Sequence, residues 1–350
     1  MTMAQKERRL HDPVERNGIR VGPATDEQLE SWDRYVEQSP HGTVYHQLEA
    51  LRVQAEHSGT ELHPLIGFKG QEPVGLFPVF TRSKAGMNAA FSPPPDLWVS
   101  YLGPALLNFE GLKQRRREKR HGRFIGAALE WLDDAFAPAY TNVRSGCAYT
   151  DPRPFKWNDF ELTPRYTYHV DLTRGEEELL SSFSSDARRN IRTDEDRYSI
   201  EEVGPEGIER IITQVRGRHE EQGESYTVTP EFVVDLYERL PAGQVRPYVC
   251  RVDGEFVGGM VTLAYGGTVH RWQGGAKTDS DVPVNDLIDW RIMTDAMDAG
   301  HSCYNLVGAN NERLCRYKAK FSPTVAQYYS LGRRSMGMRM VAEVYKRFIR

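Results

Sequence analysis

A chain of 350 residues, 39% hydrophobic and 27% charged, has the make-up of a soluble globular protein and enough length for two ordinary domains. Its formal net charge of -4 argues against indiscriminate nucleic-acid binding, and no apolar run approaches the roughly 20 residues that span a bilayer. The charged start MTMAQKERRLHDPVERNG lacks the apolar centre of a signal peptide; with Cys147, Cys250, Cys303 and Cys315 scattered and no HExxH among the histidines, a reduced, cytoplasmic, metal-free protein is expected.

In chain order, GIRVGPA reads as a short strand. A helix follows from about Asp26, with Thr25 as N-cap and Leu29, Trp32, Tyr35 and Val36 on one face. GTVYHQLEALRVQAEHSG continues as a second helix. Strands are then expected at ELHPLIGFKG, EPVGLFPVFTR and LWVSYLGPALL, separated by turn-forming stretches. A helix from about Phe124 to Phe136 and a strand at TNVRSGCAY complete the first half, and the proline- and aromatic-rich TDPRPFKWNDFELTPRY reads as a crossing between domains.

The second half repeats that order. YTYHVDLT is a strand, GEEELLSSFSSDARRNIRTDEDR holds one or two helices, and EGIERIITQVRGRHEEQ and TPEFVVDLYERL are further helices. VRPYVCRVDGEFVGGMVTLAYGGTVHRWQGGA alternates as a three-strand meander. NDLIDWRIMTDAMDAG is an amphipathic helix stopped by Gly300, with Asn285 and Asp286 as candidate N-caps, and HSCYNLVGA is a strand. The expectation is a mixed α/β (α+β) chain of two diverged copies of one domain, each a mostly antiparallel sheet flanked by helices. The boundaries fall at residues 1–165 and 166–325, and residues 326–350 form a C-terminal segment packing back on the first domain.

This order is similar to that of the GNAT acyltransferase fold, and the tandem pair resembles the Fem-type (FemABX) aminoacyl transferases and their BioF2-like relatives. The motifs that carry the resemblance lie between about residues 166 and 325. They are the basic segment DARRNIRTDED, the stretch from WQGGAK through the helix to YNLVGAN, and RYKAKFSP, which resembles a Phe-Lys-x-x-Phe-Gly signature with Tyr317 at the first aromatic and Ser322 at the glycine. In the first half only GTVYHQLEAL and GLFPV match. Asn305 stands where the family has aspartate. The resemblance implies transfer of an acyl or aminoacyl group to an amine, with no resident cofactor and with aminoacyl-tRNA or acyl-CoA as donor. It further implies an amine acceptor on a cell-envelope or other anionic precursor, bound between the domains.

For such a reaction Lys318 is the candidate catalytic residue, a cation for the developing oxyanion. Tyr317 and Phe321 would shape the pocket or stack on a base. Arg188, Arg189 and Arg192 are candidate anion binders, although the acids beside them also allow a surface ion-pair network. Trp272 would line a substrate groove and Lys277 reach a phosphate; a core tryptophan beside a tight turn explains the same letters.

A rival reading rests on Arg123, Gly126 and Ala128, whose Arg-x-x-Gly-x-Ala spacing is that of the pyrophosphate loop of CoA-dependent GNAT enzymes, where a helix start binds phosphate. Arg271–Ala276 satisfies the same spacing. The basic run from Lys113 to Arg123 would then serve CoA, tRNA or an anionic acceptor, or be a solvated face. A third alternative is a degenerate scaffold that binds a partner without chemistry. The tail SMGMRMVAEVYKRFIR reads as a basic amphipathic helix, with Val341, Val344, Tyr345, Phe348 and Ile349 on one face, packing on the first domain or touching the inner face of a membrane.

Overall fold

The computed structural model describes residues 12–193, 195–276 and 281–335. They divide into two compact units: the residues up to Pro164 together with those from Tyr328 on, and Arg165–Gln327.

The first unit holds strands β1 (Val14–Arg16), β2 (Ile19–Pro23), β3 (Glu61–Lys69), β4 (Glu72–Lys84), β5 (Met87–Ser92), the short β6 (Ala105–Leu106) and β7 (Tyr140–Arg144). Its helices are α1 (Asp26–Glu30), α2 (Trp32–Gln38), α3 (Leu48–Ser58), α4 (Gln114–Phe136) and the single turn α5 (Arg153–Lys156). The sheet runs β1-β2-β3-β4-β5-β7, antiparallel except for β5 and β7, and Ser330–Arg334 pair antiparallel with β7. Thr25 forms the expected capping box with Gln28 at the start of α1. The core forms where α4 lies on the sheet. Phe124 seats over Gly67 and Gly75, register partners on β3 and β4, where any Cβ would come within 2.5 and 2.7 Å of its ring.

Two expectations fail here. LWVSYLGPALL is irregular apart from β6, because Trp98 and Gly103 take positive φ and prolines precede it; the strand is instead Met87–Ser92, whose Met-Asn-Ala-Ala start gives little β signal. And α4 starts at Gln114, not near Phe124: the basic run is its solvated first turns, without the apolar period that would reveal them.

The second unit holds β8 (Glu161–Asp171) from Arg165 on, α6 (Glu176–Ser182), α7 (Ser185–Ile191), β9 (Tyr198–Glu202), α8 (Pro205–Glu221), α9 (Pro230–Arg239), β10 (Val245–Val252), β11 (Glu255–Tyr265), β12 (Thr268–Ala276), α10 (Val284–Asp298), β13 (Cys303–Asn305), α11 (Glu312–Lys318) and the start of β14 (Thr324–Arg334). Its sheet runs β8-β13-β12-β11-β10-β9, again antiparallel except for one pair, β12 and β13. The strands β9 and β14 were not foreseen. The tail residues 336–350, with the amphipathic helix expected there, lie outside the described residues.

Candidate active site

In the second unit β12 and β13 run parallel for three pairs, Thr268↔Cys303, Val269↔Tyr304 and His270↔Asn305, and then separate. Strand β12 continues to Ala276, paired with β11 alone. Strand β13 ends because its chain turns away through two left-handed residues, Val307 (φ 47) and Gly308 (φ 78). A β-branched residue at positive φ is strained and stays so only when its surroundings hold it. Asn305 supplies one hold: buried, its Oδ1 accepts from the Val307 N–H at 2.9 Å and from the Thr167 hydroxyl at 2.7 Å. An amide oxygen accepts as a carboxylate would, so asparagine in place of the family's aspartate keeps this turn.

Lys318 supplies the other. Only 4% exposed, it donates from Nζ to the carbonyls of both Val307 and Gly308, the latter at 2.8 Å. An ammonium has three donors, so one is left for another acceptor. Burial, and the Arg271 guanidinium beside it, pull the Lys318 pKa down from the usual lysine range to about 7, against the opposing pull of Asp289.

The opening between the strands is organised by Asp289, which is fully buried on α10. Its Oδ1 accepts from Arg271 Nε at 2.9 Å and the Tyr304 hydroxyl at 2.7 Å, and its Oδ2 accepts from the Tyr317 hydroxyl at 2.7 Å. Burial works against the Arg271 charge, but Asp289 and the two tyrosines outweigh it and hold the guanidinium pKa above its ordinary value. Burial, reinforced by Asp289, raises both phenols well above the tyrosine range. On the same strand end, Arg218 from α8 donates to the carbonyls of Ala276 (3.2 Å) and Gly274 (3.4 Å). Burial and the proximity of Arg271 lower its pKa. Arg271 thus pairs with the buried Asp289 carboxylate, Lys318 lies within its field, and Arg218 stands near Arg271 at the end of β12. At Gly274 a side chain is impossible: a Cβ would stand 2.3 Å from the Gly259 carbonyl oxygen.

The other expected residues fall in different places. Tyr317 is half-buried in this cluster, with Lys320 Nζ 4.2 Å from its ring centre; Lys320 itself pairs with the buried Asp286, which Asn190 also contacts at 2.7 Å. Asp286 and Asn285 therefore do not cap α10; Asn285 Oδ1 instead accepts from the Ala276 N–H at 2.9 Å. Phe321 is fully buried against Phe183, and Trp272 is buried against Phe232, so both are core residues rather than groove walls. Arg188 donates to the Ser181 and Phe183 carbonyls at 2.9 Å, closing the end of α6. Arg189 and Arg192 are exposed, with no ion pair among the described residues. Lys277 lies outside the described residues.

Arg123, Gly126 and Ala128 are not at a helix start. They sit in the middle of α4, where backbone N–H groups are already bonded within the helix, and Gly126 packs under Arg16, whose Nη1 would lie 2.2 Å from a Cβ there. The pyrophosphate-loop reading of this segment is therefore wrong. Sequence reasoning passed over Asn305 as a hold on Val307, Asp289 and Arg218; only the Asp286–Asp289 spacing, i to i+3 on one helix face, hinted at a carboxylate pair turned inward.

Residues 181–319 match the Acetyltransferase (GNAT) domain family, a span that contains the parallel pair, its separation and Lys318. The chain is a GNAT-fold protein. No curated relative matches it in sequence. Among solved structures, FemX is similar over 88% of this chain and 96% of its own, at 12% identity and a TM-score of 0.67. L-PGS from Bacillus licheniformis is similar over 91% and 96%, at 12% identity and a TM-score of 0.52. A tandem GNAT protein from the clavulanic acid biosynthesis pathway is similar over 90% and 98%, at 13% identity and a TM-score of 0.51. The GNAT likeness thus extends over both units, and the fold is Fem-like.

Proposed function

We propose that the second unit transfers an acyl or aminoacyl group from an activated donor to an amine, with aminoacyl-tRNA as the donor class. The observation that carries this is the buried Lys318 beside the separated strands, held by two carbonyls with one donor to spare. In the reaction a neutral amine attacks the ester carbonyl carbon. A C–N bond forms, the carbonyl oxygen becomes an oxyanion facing the spare Lys318 N–H, and the C–O bond then breaks as the amine proton passes to the departing alkoxide. Arg271 and Arg218 add positive potential at the same strand end, which suits an anionic donor or acceptor. No covalent enzyme intermediate is needed.

The preference for an aminoacyl ester over acyl-CoA rests on charge. In the GNAT arrangement, the segment between β12 and α10 would meet a pyrophosphate. Here it carries two acids, Asp279 and Asp281, against one cation, Lys277. Acids at a helix start repel the anion that a bare helix N-terminus would attract.

The test is the thermal midpoint of the purified protein titrated with acetyl-CoA, uncharged tRNA and charged tRNA. Ligand binding to the native state raises the midpoint. Stabilisation by charged above uncharged tRNA is expected; stabilisation by acetyl-CoA alone would replace this reading with a CoA-dependent one. With the donor in hand, Lys318→Ala should abolish transfer without unfolding the protein, and retained turnover would remove Lys318 from the mechanism.

A further inference from the structure

The first unit carries a surface that the transfer chemistry does not use. Helix α5 is anchored from below: Phe155 and Phe160 are buried with ring centres 5.2 Å apart. Trp157, between them in sequence, takes the opposite course and is 61% exposed. It is not loosely held. Its N–H bonds to the Arg153 carbonyl at 2.9 Å, and the next residue, Asn158, bonds to the Pro154 carbonyl at 2.7 Å. Tryptophan, with an apolar body and a polar N–H, is enriched where a surface meets a partner, so its exposure on a hydrogen-bonded turn gains meaning from the groups around it.

The surroundings define its chemistry. The Arg153 guanidinium lies over the indole, 5.7 Å from its centre, and is itself fixed by Asp151 (2.8 Å) and Glu118 (2.8 Å). The α4 backbone lies beside the ring at Gly122, where a Cβ would be 3.7 Å away. Arg115 and Lys119, seven and three residues before Gly122, share that helix face. Both are exposed, as are Arg116 and Lys156, and none of the four has an ion pair among the described residues. The first turn of α4 holds no acid, so Arg115 and Arg116 stand at the positive end of the helix dipole, where the isolated protein gains nothing from them.

We propose that Trp157 and the cations Arg115, Arg116, Lys119 and Lys156 form a peripheral docking surface for an anionic phospholipid bilayer. The indole enters the headgroup layer and the cations meet the lipid phosphates. A nucleic acid fits less well. Base stacking needs an open ring face, whereas Arg153 already covers one face and α4 flanks the ring at Gly122. The surface lies wholly in the first unit and is independent of the donor and of Lys318.

The test is cosedimentation of the full chain with phosphatidylcholine vesicles, with and without phosphatidylglycerol. Binding is expected only to the anionic vesicles and should weaken with salt. Arg115→Gln and Lys119→Gln should each reduce it about fivefold, and Trp157→Ser should reduce it further at unchanged charge. All three positions are exposed, so thermal midpoints should not move. Equal affinity for neutral and anionic vesicles, or binding that survives all three substitutions, would overturn the proposal. So would capture of single-stranded RNA that the same substitutions abolish while vesicles are ignored, which would assign the surface to nucleic acid.

Discussion

Both units contain the same connection, a strand joined through a helix to a parallel partner, yet they fill it with different chemistry. In the first unit β5 and β7 pair through Ala89↔Tyr140 to Ser92↔Val143, and a further parallel bridge joins Leu102 to Ser145. The connecting α4 buries Phe124, Ile125, Trp131 and Leu132. In the second unit β12 and β13 separate after three pairs, and the connecting α10 buries two carboxylates, Asp286 and Asp289, beside its apolar residues. A buried charge is costly unless paired, and a paired one adds little to stability over a well-packed apolar group. Helix α4 also buries Arg120, paired with Glu72, and His121, bonded to Tyr149, but only in the second unit do the buried charges stand beside strands that have separated.

The largest effects should show that difference. Phe124→Ala is expected to destabilise the first unit by about 3–5 kcal/mol through the cavity it leaves over Gly67 and Gly75. Asp289→Ala should cost a similar ~3–5 kcal/mol in the second, because it strands the Arg271 charge. Hydrogen exchange resolved by segment would show each loss confined to its own unit; a shared loss would mean that the units unfold as one.

The pH response should differ as well. Lys318 has a native pKa of about 7, below its unfolded value, so between that pH and the ordinary lysine range the unfolded chain binds more protons. Stability of the wild type relative to Lys318→Met should therefore rise with pH across that window; a flat difference would mean that the ammonium is not desolvated. In the first unit burial lowers His46 to about 4, and burial together with His121 lowers His41 to about 4. Both are neutral in the native state, so their contribution is complete above the ordinary histidine pKa and is lost as pH falls towards 4. Denaturant titrations at stepped pH, with His46→Asn as control, would measure it.

The smallest effect concerns Ser322, where the family signature has glycine. Its φ of 51 is left-handed, so Ser322→Gly should stabilise the protein by about 0.5–1 kcal/mol, the relief of Cβ crowding less the added freedom of the unfolded chain.

Local pattern was enough for a good deal of this protein. The alternation in residues 245–276, the period of α10 and the capping box at Thr25 each depend on neighbours a few residues apart, so the element order and the repeated mixed α/β plan were legible in the letters. The stretch around Lys318 stood out for its cations and aromatics, and its likeness to a family signature drew attention to a lysine that proves to be buried. What the letters could not convey depended on which residues meet across the fold. Nothing local distinguishes Lys318, under the Val307 and Gly308 carbonyls, from the solvated Arg316 two residues earlier. Asp289 reads as an ordinary helix aspartate until Arg271, Tyr304 and Tyr317 converge on it from three other elements. The spacing of Arg123, Gly126 and Ala128 looked like a phosphate loop because a short motif does not say whether its N–H groups are free; in α4 they are not. Sequence period reports which side of an element is apolar, whereas burial of a charge is decided by partners far along the chain, and only the tertiary structure brings those together.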